Sequence, residues 1–333
     1  MAAPVTTPAA WTGQGVRVAD VARHLRELRA QSGDQLHSTL TSVINLVAWA
    51  PTPAAAKDIE AAADALYDHH PSRVVIVVPA DGGDRIDARV ELMSSTPRGD
   101  KRTLLVEQIV LTLHGAIAAH AGSAVTPLLR SELPTFLWWP AAPDPSSPTF
   151  AELVRVSDRL VTEVGRELRG RAALERLEAV MKFSRAPLTD LAWAVITPWR
   201  QVIAMSLRGE PLLDLRAGTA VATISTPPGE PPLEALLLAG WLADVLGEHI
   251  DIRFAKTAGD ENILGVELTA SRGCVLELAR DEGPSTVMLR TAIGGPRSLP
   301  LPAVNRTDLL AGELELRGRD RPLERALTRA CAL

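Results

Sequence analysis

Residues 132–164 read ELPTFLWWPAAPDPSSPTFAELVRVSDRLVTEV, and their pattern predicts a strand–helix–strand unit. Residues 133–139 are apolar and of strand length, residues 150–156 have helical periodicity, and residues 158–164 read as a second strand. Strand, helix and strand in this order predict a right-handed crossover between parallel strands. Ligands and partners of open α/β sheets meet the carboxyl ends of the strands, so the end of the first strand is a candidate functional surface.

Two adjacent tryptophans lie at that strand end. Only 4% of the residues are aromatic, yet Phe136, Trp138 and Trp139 stand together before Pro140. Successive side chains of a strand point to opposite faces, so the two indoles enter different layers. Two interpretations stay open. The strand is core and covered on both faces, or one indole (Trp139, if Trp138 is core) faces a partner protein, as tryptophans in binding hot spots do.

The remaining segments predict an α/β (α+β) protein with two domains, mixed sheets and flanking helices. The run RVVIVVP (73–79) is continuously apolar, which is typical of a strand covered on both faces. Towards the C-terminus, an antiparallel meander is predicted from four strands at 249–255, 263–270, 273–280 and 286–293.

A charged, glycine-punctuated connector, GRELRGR (165–171), separates the two halves. We therefore predict an N-terminal extension and helix over residues 1–32, an N-terminal α/β domain over 33–168, and a C-terminal α+β domain over 169–333. An alternative boundary lies at residues 208–214.

Bulk composition narrows the function classes. The chain has 333 residues and a formal net charge of −5, so it has the length for two domains and no basic excess for nucleic acid. Cys274 and Cys331 lack metal-ligand spacing, which fits a reducing compartment. The N-terminus has no signal-peptide pattern, and the apolar run at 235–243 is too short for a membrane span. We expect a soluble cytoplasmic protein with no nucleic-acid or membrane partner.

Catalytic motifs are missing from the sequence. It contains no Walker loop, no nucleophile elbow and no HExxH pair. Gly13-Gln14-Gly15 precedes a predicted helix but follows no predicted strand, so it fails the context test for dinucleotide binding. We expect a protein that is not an enzyme, with no catalytic residues, no cofactor and no metal site.

A second tryptophan pair stands in LAWAVITPWR (191–200). Trp199 comes one position inside a predicted helix start, beside Arg200. An indole and a guanidinium at such a position are a further candidate for a partner surface, because tryptophan and arginine are enriched in hot spots.

Several blocks resemble the OpcA family, the glucose-6-phosphate dehydrogenase assembly proteins of cyanobacteria and actinobacteria. The blocks are HHPSRVVIVV (69–78), EQIVL (107–111), TPLL (126–129), ELPTFLWWP (132–140), SDRLV (157–161), DLAWAVITPWRQVIA (190–204) and LLLAGWLADVLG (236–247). One departure is visible after SDRLV, where relatives often have Asp-Ser and this chain has Thr162-Glu163.

The resemblance implies a non-catalytic partner of glucose-6-phosphate dehydrogenase. Such a protein would act as an allosteric activator that stabilises the active oligomer of the dehydrogenase, in the oxidative pentose phosphate pathway that supplies NADPH. Asp158 and Arg159 of the SDRLV block join the aromatic residues above as partner-binding candidates. The alternative is an α/β enzyme or sensor that binds a sugar phosphate at the strand ends near residues 138–140.

Overall fold

The computed structural model describes residues 6–36, 39–40, 42–67, 70–95, 104–247, 249–281, 285–292, 295–302, 305–316 and 318–333. The chain divides into two compact units. Unit 1 consists of Met1–Thr162, Lys182–Leu188 and Leu310–Gly318, and unit 2 consists of Glu163–Met181, Thr189–Leu309 and Arg319–Leu333. The domain limits expected from the sequence stay a prediction.

The first part of the chain alternates strands and helices: β1 (Thr6–Gly13), α1 (Val18–Leu36), β2 (Thr39–Leu40), β3 (Ile44–Trp49), α2 (Pro53–Leu66), β4 (Ser72–Ala80), β5 (Arg85–Ser95), β6 (Leu104–His114), α3 (Ala121–Val125), β7 (Thr135–Trp139), α4 (Pro148–Arg155) and β8 (Arg159–Thr162). It continues with α5 (Gly170–Phe183), β9 (Leu188–Asp190), α6 (Leu191–Val195), α7 (Thr197–Ser206) and α8 (Glu210–Ala217). The last elements are β10 (Ala220–Thr226), α9 (Leu233–Leu246), β11 (Ile250–Lys256), β12 (Gly265–Ala270), β13 (Gly273–Arg280), β14 (Thr286–Thr291), β15 (Arg297–Pro300), α10 (Arg306–Glu315) and α11 (Arg321–Ala332).

Unit 1 is built on the larger sheet, whose strand order is β1-β5-β6-β4-β3-β7-β8-β9, with β2 beside β6. Strands β6, β4, β3, β7 and β8 are parallel, while β5 and β1 add to the β6 side in antiparallel orientation. The expected α/β fold and the parallel pairing of β7 with β8 are confirmed. The run at 73–79 is β4, and Val74–Val78 are buried as expected of a strand covered on both faces.

The sheet has a topological switch point between β3 and β7. From β3 the chain passes through α2 to β4 on one side, and from β7 it passes through α4 to β8 on the other side. Right-handed crossovers in opposite directions place their helices on opposite faces of a sheet. Both faces of the central strands are therefore covered.

The N-terminal segment contributes a strand that the sequence did not reveal. β1 pairs with β5 in antiparallel register, with Trp11 opposite Val90. The Gly13-Gln14-Gly15 turn consequently does follow a strand, and our expectation to the contrary is wrong. That strand is an antiparallel edge strand and not the first strand of a parallel βαβ unit, which is the context that dinucleotide binding requires.

Unit 2 contains a six-stranded sheet in the order β11-β10-β12-β13-β14-β15. Strands β12, β13 and β14 form the expected antiparallel meander, which β15 extends. The strand expected at 249–255 is β11, and its assignment to the meander is wrong because it pairs with β10 in parallel. The reason is the connection: α9 lies between these two strands, and a helical crossover joins parallel neighbours.

Helix α11 lies close against α9 at Gly240. A Cβ atom at this position would lie 2.8 Å from Ala330 Cβ and closer still to the carbonyl oxygen of Ala326. The contact leaves no room for a methyl group, so glycine is required by packing and not by backbone conformation.

We expect Gly240→Ala to lower the free energy of unfolding by about 1–3 kcal/mol, the usual cost of overpacking. Alanine has the higher helix propensity, so a purely local effect would have the opposite sign. Gly312→Ala is the matched control, because a Cβ at Gly312 in α10 meets no atom within 4 Å. Urea unfolding followed by circular dichroism measures the free energy of unfolding of both variants. A Gly240→Ala protein as stable as the Gly312→Ala control would contradict the prediction.

Candidate functional site

The tryptophan strand β7 is buried along its whole length. Trp138 is 0% exposed and Trp139 is 3% exposed, while Phe136 is 2% exposed. The pleat does send the two indoles to opposite faces, but both faces are covered at this strand. Strand β7 is therefore a core strand. The expectation that one of its two indoles faces outward is wrong. Pro140, which ends the strand, is half-buried.

Trp139 is the centre of an aromatic stack, defined as Trp49, Trp139, Phe150 and Phe183. Its indole lies parallel to that of Trp49 with the ring centroids 4.2 Å apart and the planes inclined by 3°. Phe150 meets Trp139 edge-on at 4.9 Å, and Phe183 lies 5.8 Å from Phe150. The two inner rings are buried, whereas Trp49 is half-buried and Phe183 is 41% exposed. The stack thus reaches the surface at both of its ends.

The stack fills the switch point of the sheet. Ala48 pairs with Trp138 across β3 and β7, so the next residues, Trp49 and Trp139, are neighbours at the carboxyl ends of the two strands. In open α/β sheets, this crevice is where a ligand binds. Here the two stacked indoles occupy it. Their rings offer rigid apolar area and no group for acid–base or nucleophilic chemistry.

Sequence reasoning missed Trp49 and Phe183 as ends of this stack. A signal for Trp49 was present, because β3 and β7 both end on a tryptophan followed closely by a proline, Pro51 and Pro140 respectively. Only the strand order reveals that these two ends are adjacent. Phe183 carried no comparable signal, since its contact with Phe150 joins positions far apart in the chain.

Asp158 and Arg159 have different surroundings. Asp158 is exposed, and its carboxylate accepts a hydrogen bond of 2.8 Å from the backbone N–H of Thr135. Arg159 is 3% exposed, pairs with Glu313 at 3.2 Å and donates to the carbonyl oxygen of Gly318 at 2.6 Å. These contacts make Arg159 a buried residue that joins β8 to α10 and the turn after it within unit 1.

Trp199 and Arg200 belong to unit 2, and Trp199 is not the exposed residue that the sequence suggested. Its side chain is 2% exposed. The Arg200 guanidinium lies 3.6 Å from the centroid of the Trp193 ring and donates a hydrogen bond of 2.7 Å to Thr197 Oγ1. The TPWR turn is therefore held together by cation–π and hydrogen-bond contacts between its own residues and the preceding helix.

Three of the sequence blocks meet in one buried ionic network in unit 1. Glu107 is 0% exposed, and its carboxylate accepts a 2.7 Å hydrogen bond from Arg73 Nε and a second one from Arg29. Arg73 also donates to the carbonyl oxygen of Leu128 at 2.7 Å. Burial lowers the pKa of the Arg73 guanidinium, and the charge of Glu107 opposes this shift. The blocks HHPSRVVIVV, EQIVL and TPLL thus serve the stability of unit 1.

The described residues show neither a metal-binding cluster nor a membrane-spanning helix. Within these ranges, no group of three His, Cys, Asp or Glu side chains is placed to hold a metal ion. None of the helices in the described part of the chain combines the length and apolar character that a membrane crossing requires.

Comparison with protein families gives two matches that together cover most of the chain. Residues 63–179 match the family OpcA_G6PD_assem, described as the N-terminal domain of a "Glucose-6-phosphate dehydrogenase subunit". Residues 186–327 match the family OpcA_G6PD_C, described as the C-terminal domain of the same kind of subunit.

Curated relatives carry a matching name. The chain is 29% identical over 204 residues to the "Putative OxPP cycle protein OpcA" of Nostoc punctiforme, which covers 60% of this chain and 43% of that protein. It is 26% identical over 181 residues to the protein of the same name from Synechococcus elongatus, which covers 54% of this chain and 40% of that protein. The chain therefore aligns with about two-fifths of the length of these relatives.

Solved structures show only distant similarity. KijD10, a 3-ketoreductase from Actinomadura kijaniata in complex with NADP, aligns over 86% of this chain and 94% of its own chain, with 13% identity and a TM-score of 0.42. A levoglucosan dehydrogenase in complex with NADH and L-sorbose aligns over 87% and 94%, with 10% identity and a TM-score of 0.42. These values carry no conclusion about function. The two family matches show that the chain belongs to the OpcA family.

Proposed function

We propose that this protein is a non-catalytic partner of glucose-6-phosphate dehydrogenase that promotes the active oligomeric form of that enzyme. The observation that carries the proposal is the match of both halves of the chain to domains named for the dehydrogenase. The name of the curated relatives as OxPP cycle proteins supports the same role. In this proposal, the protein acts in the cytoplasm together with the dehydrogenase and supports the supply of NADPH.

The aromatic stack supplies a surface suited to such a partner. Phe183 is exposed at one end and Trp49 half-buried at the other, and both are backed by buried rings. A ring that is held in place before binding loses little conformational entropy when a partner covers it, which is why rigid aromatic residues dominate hot spots. We assign the partner contact to these two ends, with half-buried Pro140 and exposed Asp158 as further candidates. Phe136, Trp138, Trp139 and Arg159 then support the surface from within unit 1, and Trp199 and Arg200 stabilise unit 2.

Activation requires that the protein bind one state of the dehydrogenase more tightly than another. A partner with equal affinity for the active and inactive oligomers would shift no equilibrium, however tightly it bound. The protein therefore acts as an allosteric activator through a difference in affinity. No chemistry of its own is involved.

An activity assay tests this function. We expect the isolated protein to show no glucose 6-phosphate oxidation and no NADP reduction, and we expect its addition to raise the activity of the dehydrogenase and its share of the larger oligomer. Glutamate dehydrogenase is a suitable control enzyme, whose activity should not change. Turnover by the isolated protein, or no effect on the activity and oligomer distribution of the glucose-6-phosphate dehydrogenase, would contradict the proposal.

The alternative function, a sugar-phosphate site at the strand ends near residues 138–140, requires space at the switch point. The parallel indoles of Trp49 and Trp139 occupy that space. No observation at these strand ends favours the alternative.

A further inference from the structure

Unit 2 contains a polar cavity that the proposed function does not use. Its volume is about 400 Å³, within the range of roughly 300–1,000 Å³ that small-molecule sites occupy. The turn after β8, the start of α6, the first turn of α9 and the start of α10 contribute its walls. Residues from all these segments belong to unit 2.

One wall is an ion pair whose carboxylate is buried. The Glu163 side chain is 5% exposed, and both of its oxygens accept hydrogen bonds of 2.8–3.0 Å from Nε and Nη2 of Arg306. Arg166 lies 3.7 Å from the same carboxylate. The carboxylate of this pair is buried, whereas the Arg306 side chain is 33% exposed, so the pair lies at the boundary between the interior of unit 2 and the cavity. The bidentate geometry fixes charged hydrogen-bonding groups before any ligand arrives.

A second part of the lining consists of the carboxyl group of Glu234 and the amide group of Asn262. Glu234 lies in the first turn of α9, and burial raises the pKa of its carboxyl. The Asn262 side chain hydrogen-bonds this carboxyl. A carboxylate accepts a hydrogen bond from a ligand hydroxyl group, and an amide side chain both donates and accepts one.

The charge of the lining restricts the class of ligand. Three carboxylates and two guanidiniums line the cavity, a formal net charge of −1 that disfavours an anion such as a phosphate ester. No aromatic side chain is among the lining residues, so the cavity offers no stacking platform for a nucleobase. The apolar part of the lining, Leu191, Val195 and Leu309, suits the C–H face of a small ring.

We propose that this cavity binds a neutral polyhydroxylated molecule of about the size of one sugar ring. Hydroxyl groups of such a molecule donate to the carboxylates and accept from the guanidinium and amide groups, while its carbon skeleton packs on the apolar side chains. The proposal concerns the chain by itself and is independent of the dehydrogenase.

Titration calorimetry of the full chain tests the site with D-glucose and D-sorbitol as neutral probes and glucose 6-phosphate as the anionic probe. We expect saturable binding of a neutral probe and at least roughly tenfold weaker binding of glucose 6-phosphate. Asn262→Ala should weaken binding of the neutral probe about tenfold, since it removes a hydrogen bond in a polar site. Asn262 is half-buried and lies outside the Glu163–Arg306 pair, so this variant should stay folded. Glu234→Ala is a second variant with the same expected result.

Glu267→Gln is the matched control, because it neutralises an exposed carboxylate of β12 that does not line the cavity. The affinity of this variant for the neutral probe should equal that of the wild type. Three results would overturn the proposal: no saturable binding of either neutral probe, equal affinity in the Asn262→Ala and control variants, or tighter binding of glucose 6-phosphate than of glucose. None of these outcomes depends on whether the protein binds the dehydrogenase.

Discussion

Replacing Trp139 by alanine should lower the free energy of unfolding by about 3–5 kcal/mol, the range for large aromatic residues in cores. The indole is 3% exposed and lies between Trp49 and Phe150, so its removal opens a cavity and breaks two ring contacts. Ring contacts of this kind add about 0.5–1.5 kcal/mol beyond area burial. Because both neighbouring rings lose their support, half-buried Trp49 and exposed Phe183, the two ends of the stack, should also lose their fixed geometry.

Urea unfolding followed by far-ultraviolet circular dichroism measures this loss without relying on tryptophan fluorescence. Trp11→Ala is the control, because Trp11 is half-buried and its ring stacks on that of His24 with the centroids 4.2 Å apart. We expect the control to lose less than half as much stability. A Trp139→Ala protein that loses no more than the control would show that the stack is not part of the core of unit 1.

Replacing Glu107 by glutamine should be equally severe, with a loss of about 3–5 kcal/mol. The substitution keeps the shape of the side chain but leaves the buried Arg73 without its counter-charge. Desolvation already lowers the pKa of this guanidinium, and the substitution removes the carboxylate charge that opposes this shift while leaving the hydrogen bond to the Leu128 carbonyl oxygen. Replacing both partners, as in Glu107→Gln with Arg73→Met, should recover part of the loss because no buried charge is then left unpaired at that position.

Glu175→Gln provides the comparison for this substitution. Its ion pair with Arg171 has side chains that are 62% and 77% exposed, and such pairs contribute about 0–1 kcal/mol. Thermal and urea unfolding of the two variants should therefore differ clearly. If Glu107→Gln and Glu175→Gln lose the same small amount, the network that joins the three sequence blocks does not stabilise unit 1.

Local pattern predicted the central strands of the fold well. The apolar run at 73–79 became β4, and the strand–helix–strand unit after residue 132 became β7, α4 and β8. A continuous run of apolar residues indicates a strand covered on both faces, whereas alternation of apolar and polar residues indicates a strand covered on one face. The parallel pairing of β11 with β10 was missed because periodicity describes a strand and not its neighbour. The helical connection α9 decides that pairing.

The candidate site could be predicted only in part for a similar reason. Period-two alternation correctly separated Trp138 from Trp139, but the exposure of each indole depends on where α2 and α4 cross the sheet. Trp49 entered the site because β3 and β7 are adjacent, a long-range fact that no local pattern contains. Trp199 and Arg200 were chosen by residue type, yet the burial of Trp199 depends on how the helices of unit 2 pack.

The proposed function predicts that this protein binds the glucose-6-phosphate dehydrogenase of the same organism. Biolayer interferometry measures the dissociation constant for the wild type and for Phe183→Ala. Phe183 is 41% exposed, so its truncation should leave the fold nearly intact. Loss of a hot-spot contact of about 2 kcal/mol should weaken binding roughly thirtyfold. Leu213→Ala, which truncates an apolar side chain of α8 that is 64% exposed, should bind like the wild type. No binding of the wild-type protein would contradict the proposed function, and equal affinities of Phe183→Ala and wild type would show that the aromatic stack is not its binding surface.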